Sequence, residues 1–230
     1  MGSSSVTLVR VGATLGAIAE NWEIRLDKVS HAFGERRVFS PLEATFLSGE
    51  VGVVTGFNGS GKSTLFRIIA GLLQPTQGAV DVLQSGKPLD ALLRRAHIGY
   101  VSPDLTLYRE LTAVENLQFF AELQGKNFRK SELAELLNEV GLKGRGRDFV
   151  GAYSNGMRQR LKYAFALLNA PPILLLDEPT ANLDVVGMEM VERIVTRQRS
   201  HPQGGITLIA TNEPRELGWG DTVVRLENRI

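Results

Sequence analysis

One octapeptide constrains this chain more than any other feature. Gly56-Phe57-Asn58-Gly59-Ser60-Gly61-Lys62-Ser63 satisfies the pattern G-x-x-x-x-G-K-[ST]. The apolar run Val51-Gly52-Val53-Val54 precedes it, and the helical pattern Thr64-Leu65-Phe66-Arg67-Ile68-Ile69 follows. Strand, glycine-rich turn and helix in that order predict a phosphate-binding loop. Glycines let backbone N–H groups converge on phosphate oxygens without Cβ clashes. The helix N-terminus adds its positive dipole end. Lys62 is expected to reach the β and γ phosphates, and the Ser63 hydroxyl to ligate Mg²⁺. Asn58, Gly59, Ser60, Gly61, Lys62, Ser63 and Thr64 form the predicted binding set. A glycine-rich turn with no ligand is the alternative, and the flanking strand and helix argue against it.

A second element supports the same chemistry. Ile173-Leu174-Leu175-Leu176-Asp177-Glu178 is an apolar run ending in two carboxylates. A strand that ends in acid beside a phosphate loop can hold Mg²⁺ with its first carboxylate. Asp177 is expected in that role, through water. Side-chain alternation would aim Glu178 to the other side of the strand, where it could polarise an attacking water. Alone, the pair could equally cap a turn before Pro179.

The rest of the chain reads as an α/β core interrupted by helices. Strand-like runs cover 23–30, 38–46, 50–57, 78–83 and 98–101, and antiparallel strands are expected ahead of the core. Thr112-Ala113-Val114-Glu115 matches a capping box that opens a helix. Further helices are expected over 131–140, 154–169 and 185–199, and further strands over 206–210 and 222–226. This divides the chain into a tail of residues 1–21, a core of 22–101 and 161–230, and a helical insert of about 102–160.

Composition excludes several classes. The 230 residues carry a net charge of +1, so there is no global electrostatic case for nucleic acid. Forty-three per cent hydrophobic content suits a buried core and not a disordered chain. Without cysteine, disulfides, iron–sulfur clusters and a thiol nucleophile are ruled out. No apolar run is long enough for a spanning helix. Val6 to Ala19 is broken by Arg10, Gly12 and Gly16 and lacks a basic n-region, which argues against a secretory signal.

Between the two phosphate elements stands Tyr153-Ser154-Asn155-Gly156-Met157-Arg158-Gln159-Arg160. It is similar to L-S-G-G-Q-[RQ]-Q-R, the signature of ATP-binding subunits of ABC transporters, and over residues 22–230 the chain resembles that family. Ser154 and Gly156 match; Tyr153, Asn155 and Met157 depart. Ser154 would cap a helix whose N-terminus is an anion site, and Gly156 would permit close phosphate approach. An ordinary capped helix is the alternative.

The resemblance implies a P-loop NTPase core of RecA type with an antiparallel β subdomain and an all-helical insert. It implies ATP and Mg²⁺ as ligands, and a homo- or heteromeric dimer that sandwiches ATP against Ser154 and Gly156 of the opposite subunit. Phe33 stands where an aromatic stacks on adenine, or it is a core residue. Ala181-Asn182-Leu183-Asp184 resembles the loop that communicates across the dimer, with Asp184 also a candidate helix cap. Leu111 to Leu117 resembles the family's L-T-x-x-E-N-L.

Two positions depart from the family pattern. Pro103 stands in register with the usual Gln after strand 98–101; Asp104 could substitute, or be a solvated loop residue. Asn212 follows Thr211 where the family has His. Asn212 can donate to a γ-phosphate but carries no proton, or it caps the helix near Pro214.

The resemblance thus implies an ATP hydrolase that powers a transmembrane permease from the cytoplasmic face of the membrane. The signature variant resembles exporters more than importers, the haem-exporter type among them. Alternatives are a soluble ABC ATPase and a catalytically weak subunit paired with an active one.

Overall fold

A computed structural model describes residues 8–10 and 21–226. In chain order the elements are β1 (Leu8–Arg10), β2 (Trp22–Phe33), β3 (Arg36–Leu47), β4 (Val51–Thr55), α1 (Lys62–Ile69), β5 (Gln77–Gln84), β6 (Lys87–Pro88), α2 (Ala91–Ala96) and β7 (Ile98–Val101). Then follow α3 (Ala113–Leu123), α4 (Lys130–Glu139), α5 (Asn155–Leu167), β8 (Ile173–Asp177), α6 (Val185–Arg199), β9 (Ile206–Ala210), α7 (Pro214–Leu217) and β10 (Thr222–Arg225).

Two sheets result. The larger has the order β1-β10-β4-β9-β8-β7, parallel except for β1 at its edge. The smaller is antiparallel, with the order β3-β2-β5-β6. The antiparallel sheet is therefore not confined to the chain ahead of the phosphate loop, because β5 enters it after α1. The predicted tail lies largely outside the described residues; within it, Leu8–Arg10 pairs antiparallel with β10.

β4, β8 and β9 are buried along their whole length. Helices and the second sheet cover both faces, which is why these strands read as unbroken apolar runs. Alternation divides their side chains between two cores. Val53, Leu174, Leu176 and Ile209 pack on the side of α3, α4, α5 and α6. Val54, Ile173, Leu175, Leu208 and Ala210 pack against α1 and the antiparallel sheet, with Trp22, Phe46 and Phe66. Full burial of each Leu or Ile contributes roughly 1.5–3 kcal/mol.

The caps follow the sequence closely. Thr112 accepts from Glu115 N, and the Glu115 carboxylate accepts from Thr112 N, closing the expected capping box of α3. Ser154 Oγ accepts from Met157 N at 3.2 Å and opens α5. Asp184 accepts from Gly187 N at 2.8 Å and opens α6. Helix α2 was not foreseen. Asp90 caps it twice, but six residues give too few turns for a visible period.

Candidate nucleotide site

The loop between β4 and α1 is a glycine-dependent structure. Gly56 sits at φ +153° and Gly61, the N-cap of α1, at φ +99°. A Cβ on Gly56 would lie 2.5 Å from the Leu226 carbonyl oxygen; one on Gly61 would lie 2.6 Å from Val38 Cγ1 and 2.7 Å from Phe39 Cδ1. No L side chain meets both demands.

Asn58, Gly59, Gly61, Lys62, Ser63 and Thr64 line a cleft of about 380 Å³, together with Phe33 and Glu178. Of the predicted binding set 58–64 only Ser60 stays out of this lining. Ser60 is fully buried, its N–H donates to Phe57 O at 2.9 Å, and its Oγ has no partner. Phe33 is 55% exposed and edge-on to His31, so it is not a core residue. Arg36, Arg37 and Val38 also line the cleft, and the sequence reading missed them. Gly34 at φ +59° turns β2 into β3, and Phe33 pairs with Arg36 across that turn.

Lys62 Nζ donates to Gly56 O at 2.8 Å and Phe57 O at 3.3 Å. Its ammonium thus folds back over the loop at the first turn of α1. Burial lowers its pKa, while Glu178 and Asp177 act in the opposite direction.

Asp177 closes β8 and is 1% exposed. Its Oδ2 accepts from the Tyr100 hydroxyl at 3.4 Å; its Oδ1 is buried without a hydrogen-bond partner of good geometry. Burial raises the carboxyl's pKa, and the Ser63 hydroxyl beside it lowers it. An orphaned buried carboxylate oxygen next to a hydroxyl is a hard-oxygen donor set, and it fits a small divalent cation such as Mg²⁺.

Glu178 reaches the cleft differently from expected. The strand ends at Asp177, and Glu178 takes φ +50°, outside any strand geometry. A left-handed turn, not alternation, aims it. That turn is pinned on several sides. Glu178 N donates to Ala210 O at 2.9 Å, and Tyr163 Oη of α5 donates to Pro179 O at 2.8 Å. Thr180 donates to Glu216 Oε1 through both its N–H, at 3.2 Å, and its hydroxyl, at 2.5 Å.

Asn212 is not a helix cap. Glu213 is the N-cap of α7, and Thr211 Oγ1 accepts from Glu213 N. Asn212 instead spans the phosphate loop. Its Oδ1 accepts from Gly56 N at 3.3 Å, and its Nδ2 donates to Asn58 Oδ1 at 3.0 Å.

The stretch after β7 is held without a Gln. Lys162 Nζ of α5 donates to Ser102 O at 3.1 Å and Pro103 O at 2.7 Å. Asp104 pairs with Arg67 of α1 and does not line the cleft. Sequence spacing carries no sign of either contact.

Ser154 and Gly156 lie in a different hollow, with Asn182, Asp184 and Arg160. A Cβ on Gly156 would meet Asn182 O at 3.2 Å. Arg160 pairs with Asp184 at 2.5 Å, so Asp184 both caps α6 and ties α6 to α5. Within one chain the two halves of the expected ATP contact set line separate hollows.

Comparison with known proteins places this arrangement. Residues 39–181 match the ABC transporter family. The Nod factor export ATP-binding protein I of Sinorhizobium fredii is 42% identical over 70% of this chain and 48% of its own length. The lantibiotic transport ATP-binding protein SrtF of Streptococcus pyogenes is 30% identical over 82% of this chain and 79% of its own length. The chain spans between 48% and 62% of the length of the first four curated relatives it matches. A dimeric ATP-binding cassette in a post-hydrolysis state with ADP and Pi superimposes with a TM-score of 0.77 and 26% identity, over 89% of this chain and 94% of that one. Since that family match takes in more than half of the 230 residues, the chain belongs to the ABC transporter family.

Proposed function

We propose that this chain binds and hydrolyses ATP and thereby powers export by a membrane-embedded partner. The observation that carries the reading is that Lys62 and Ser63 share one cleft with Glu178, far from them in sequence, and with the exposed ring of Phe33. In this reading Phe33 stacks on the base. The loop N–H groups and Lys62 hold the phosphates, and Lys62 exchanges its carbonyl partners for phosphate oxygens. Ser63 and Asp177 would hold Mg²⁺, which neutralises charge on the β and γ phosphates when bound. Glu178 orients the attacking water and accepts its proton. Asn212 offers a neutral amide hydrogen bond where a proton-carrying group would serve better.

The separate Ser154 hollow supports a dimer in which α5 of each subunit completes the other's site. Relatives named for Nod factor export, bacitracin transport and daunorubicin resistance support an exporter. Among the described residues no helix is long and apolar enough to cross a membrane. The chain then acts as a peripheral subunit on a permease, with residues 22–101 and 161–230 as its core and about 102–160 as the insert that transmits motion.

The Glu178→Gln variant tests this reading. It should retain ATP and accumulate as a dimer in size-exclusion chromatography, with hydrolysis reduced at least a hundredfold, about 2.7 kcal/mol of barrier. A variant that keeps a fast wild-type rate refutes Glu178 as the base. Equally slow wild-type turnover would favour a catalytically weak subunit, the reading that Asn212 and Pro103 support.

A further inference from the structure

Tyr100 has no part in the machinery above, yet it touches the acidic end of β8. On β7 its Cα pairs with Leu175 of β8. Leu175 and Asp177 lie on the same face of β8, because alternate residues share a face. The Tyr100 ring therefore runs along the sheet toward the carboxylate. Phe66 of α1 packs edge-on against it, with ring centroids 6.3 Å apart. The hydroxyl donates to Asp177 Oδ2 at 3.4 Å. A phenol is protonated at neutral pH, so the hydroxyl is available as a donor.

An aspartate is broad about its terminal torsion, and only contacts to its oxygens fix which one faces a ligand. Here Oδ2 has the Tyr100 donor and Oδ1 is the buried oxygen left over. We infer that Tyr100 is a positioning residue for the metal-binding carboxylate: its hydroxyl holds Asp177 Oδ2 and so leaves Oδ1, the buried oxygen without a partner, to face a divalent cation. The inference rests on the reading of Asp177 as a metal-binding residue. It adds that the metal's affinity depends on a tyrosine of the neighbouring strand. Groups that orient metal ligands typically change metal affinity about tenfold to a hundredfold when removed.

The test uses Mn²⁺ as the probe, in the Glu178→Gln background so that ATP persists. Mn²⁺ binding to the ATP-saturated protein is followed by its EPR signal, and ATP affinity in EDTA is measured separately. Tyr100→Phe keeps the ring and its contact with Phe66. It should raise the Mn²⁺ half-saturation about tenfold and leave ATP affinity in EDTA unchanged. Phe66→Leu, which disturbs packing but spares the hydroxyl, should leave the half-saturation within about twofold. The proposal is overturned if Tyr100→Phe also shifts it less than twofold, or if Phe66→Leu shifts it as much as Tyr100→Phe. Should Tyr100→Phe not fold, Tyr100→His against Tyr100→Leu makes the same comparison, with recovery of metal affinity expected only for the donor. If the Glu178→Gln protein binds ATP with no dependence on Mn²⁺ at all, the metal reading of Asp177 fails first, and this inference with it.

Discussion

Replacing Tyr163 by Phe removes a single oxygen atom from a completely buried site. That hydroxyl donates to Pro179 O at 2.8 Å, one residue beyond Glu178. The substitution loses one neutral hydrogen bond and leaves a buried carbonyl without its donor. The net cost of such a change is about 1.5–2 kcal/mol. For a domain of this size that lowers Tm by roughly 3–8 °C. The second effect is local. The carbonyl belongs to the turn that holds Glu178 at positive φ, so its loss lets the carboxylate wander. A modest misplacement of a catalytic group should reduce kcat about threefold to tenfold, with KM little changed. Thermal unfolding followed by circular dichroism and steady-state hydrolysis would measure the two effects. Tyr108→Phe serves as a control, since Tyr108 is 47% exposed and its change should stay within about 0.5 kcal/mol. A Tm loss below 1 °C for Tyr163→Phe would refute the energetic argument. A full Tm loss with unchanged turnover would refute the link from α5 to Glu178.

Gly61→Ala combines φ +99° with contacts under 3 Å to Val38 and Phe39; it should cost about 2 kcal/mol or more in urea unfolding. Lys62→Ala should weaken ATP binding about tenfold to a hundredfold by calorimetry, the equivalent of one charge-assisted contact, and unchanged affinity would refute the phosphate-loop assignment. Burial raises the folded-state pKa of Asp177 above its unfolded value. The folded protein then binds the extra proton between those two values, so the contribution of Asp177 to stability falls as pH rises through that window. Asp177→Asn should remove that slope and raise the Tm of nucleotide-free protein at neutral pH, read as the difference between variant and wild-type Tm across the pH range.

What could be read from the sequence was what local chemistry encodes. A glycine pattern, an apolar run ending in acid, and Thr or Ser three residues ahead of a capped N–H each act within a few positions of themselves. Those readings place the phosphate loop, Asp177, the α3 capping box and the α5 cap. Contacts that the fold makes across long separations could not be read the same way. Arg67 meets Asp104, Lys162 meets Ser102 and Pro103, and Asn212 meets Gly56 and Asn58. Glu178 illustrates the difference most sharply. The sequence locates it one residue past the strand, but its aim depends on a left-handed backbone imposed by Ala210, Tyr163 and Glu216 from three other elements. Arg36 and Arg37 enter the cleft only because a tight hairpin sets Arg36 opposite Phe33, and charge alone did not single them out.

The grip of Lys162 on the strand-end loop has a consequence for how this protein tolerates change. Its ammonium binds two main-chain oxygens, and those oxygens exist whichever side chains stand at 102 and 103. An alanine at 103 would leave that grip intact, and one at 102 would remove only what the Ser102 hydroxyl itself holds, such as the Asp104 N–H. The sensitive site would emerge about sixty residues later, on a helix, where a single substitution releases both oxygens together. Drift can therefore rewrite the loop's surface freely, and with it whatever that surface meets, while the anchor that sets its path stays fixed.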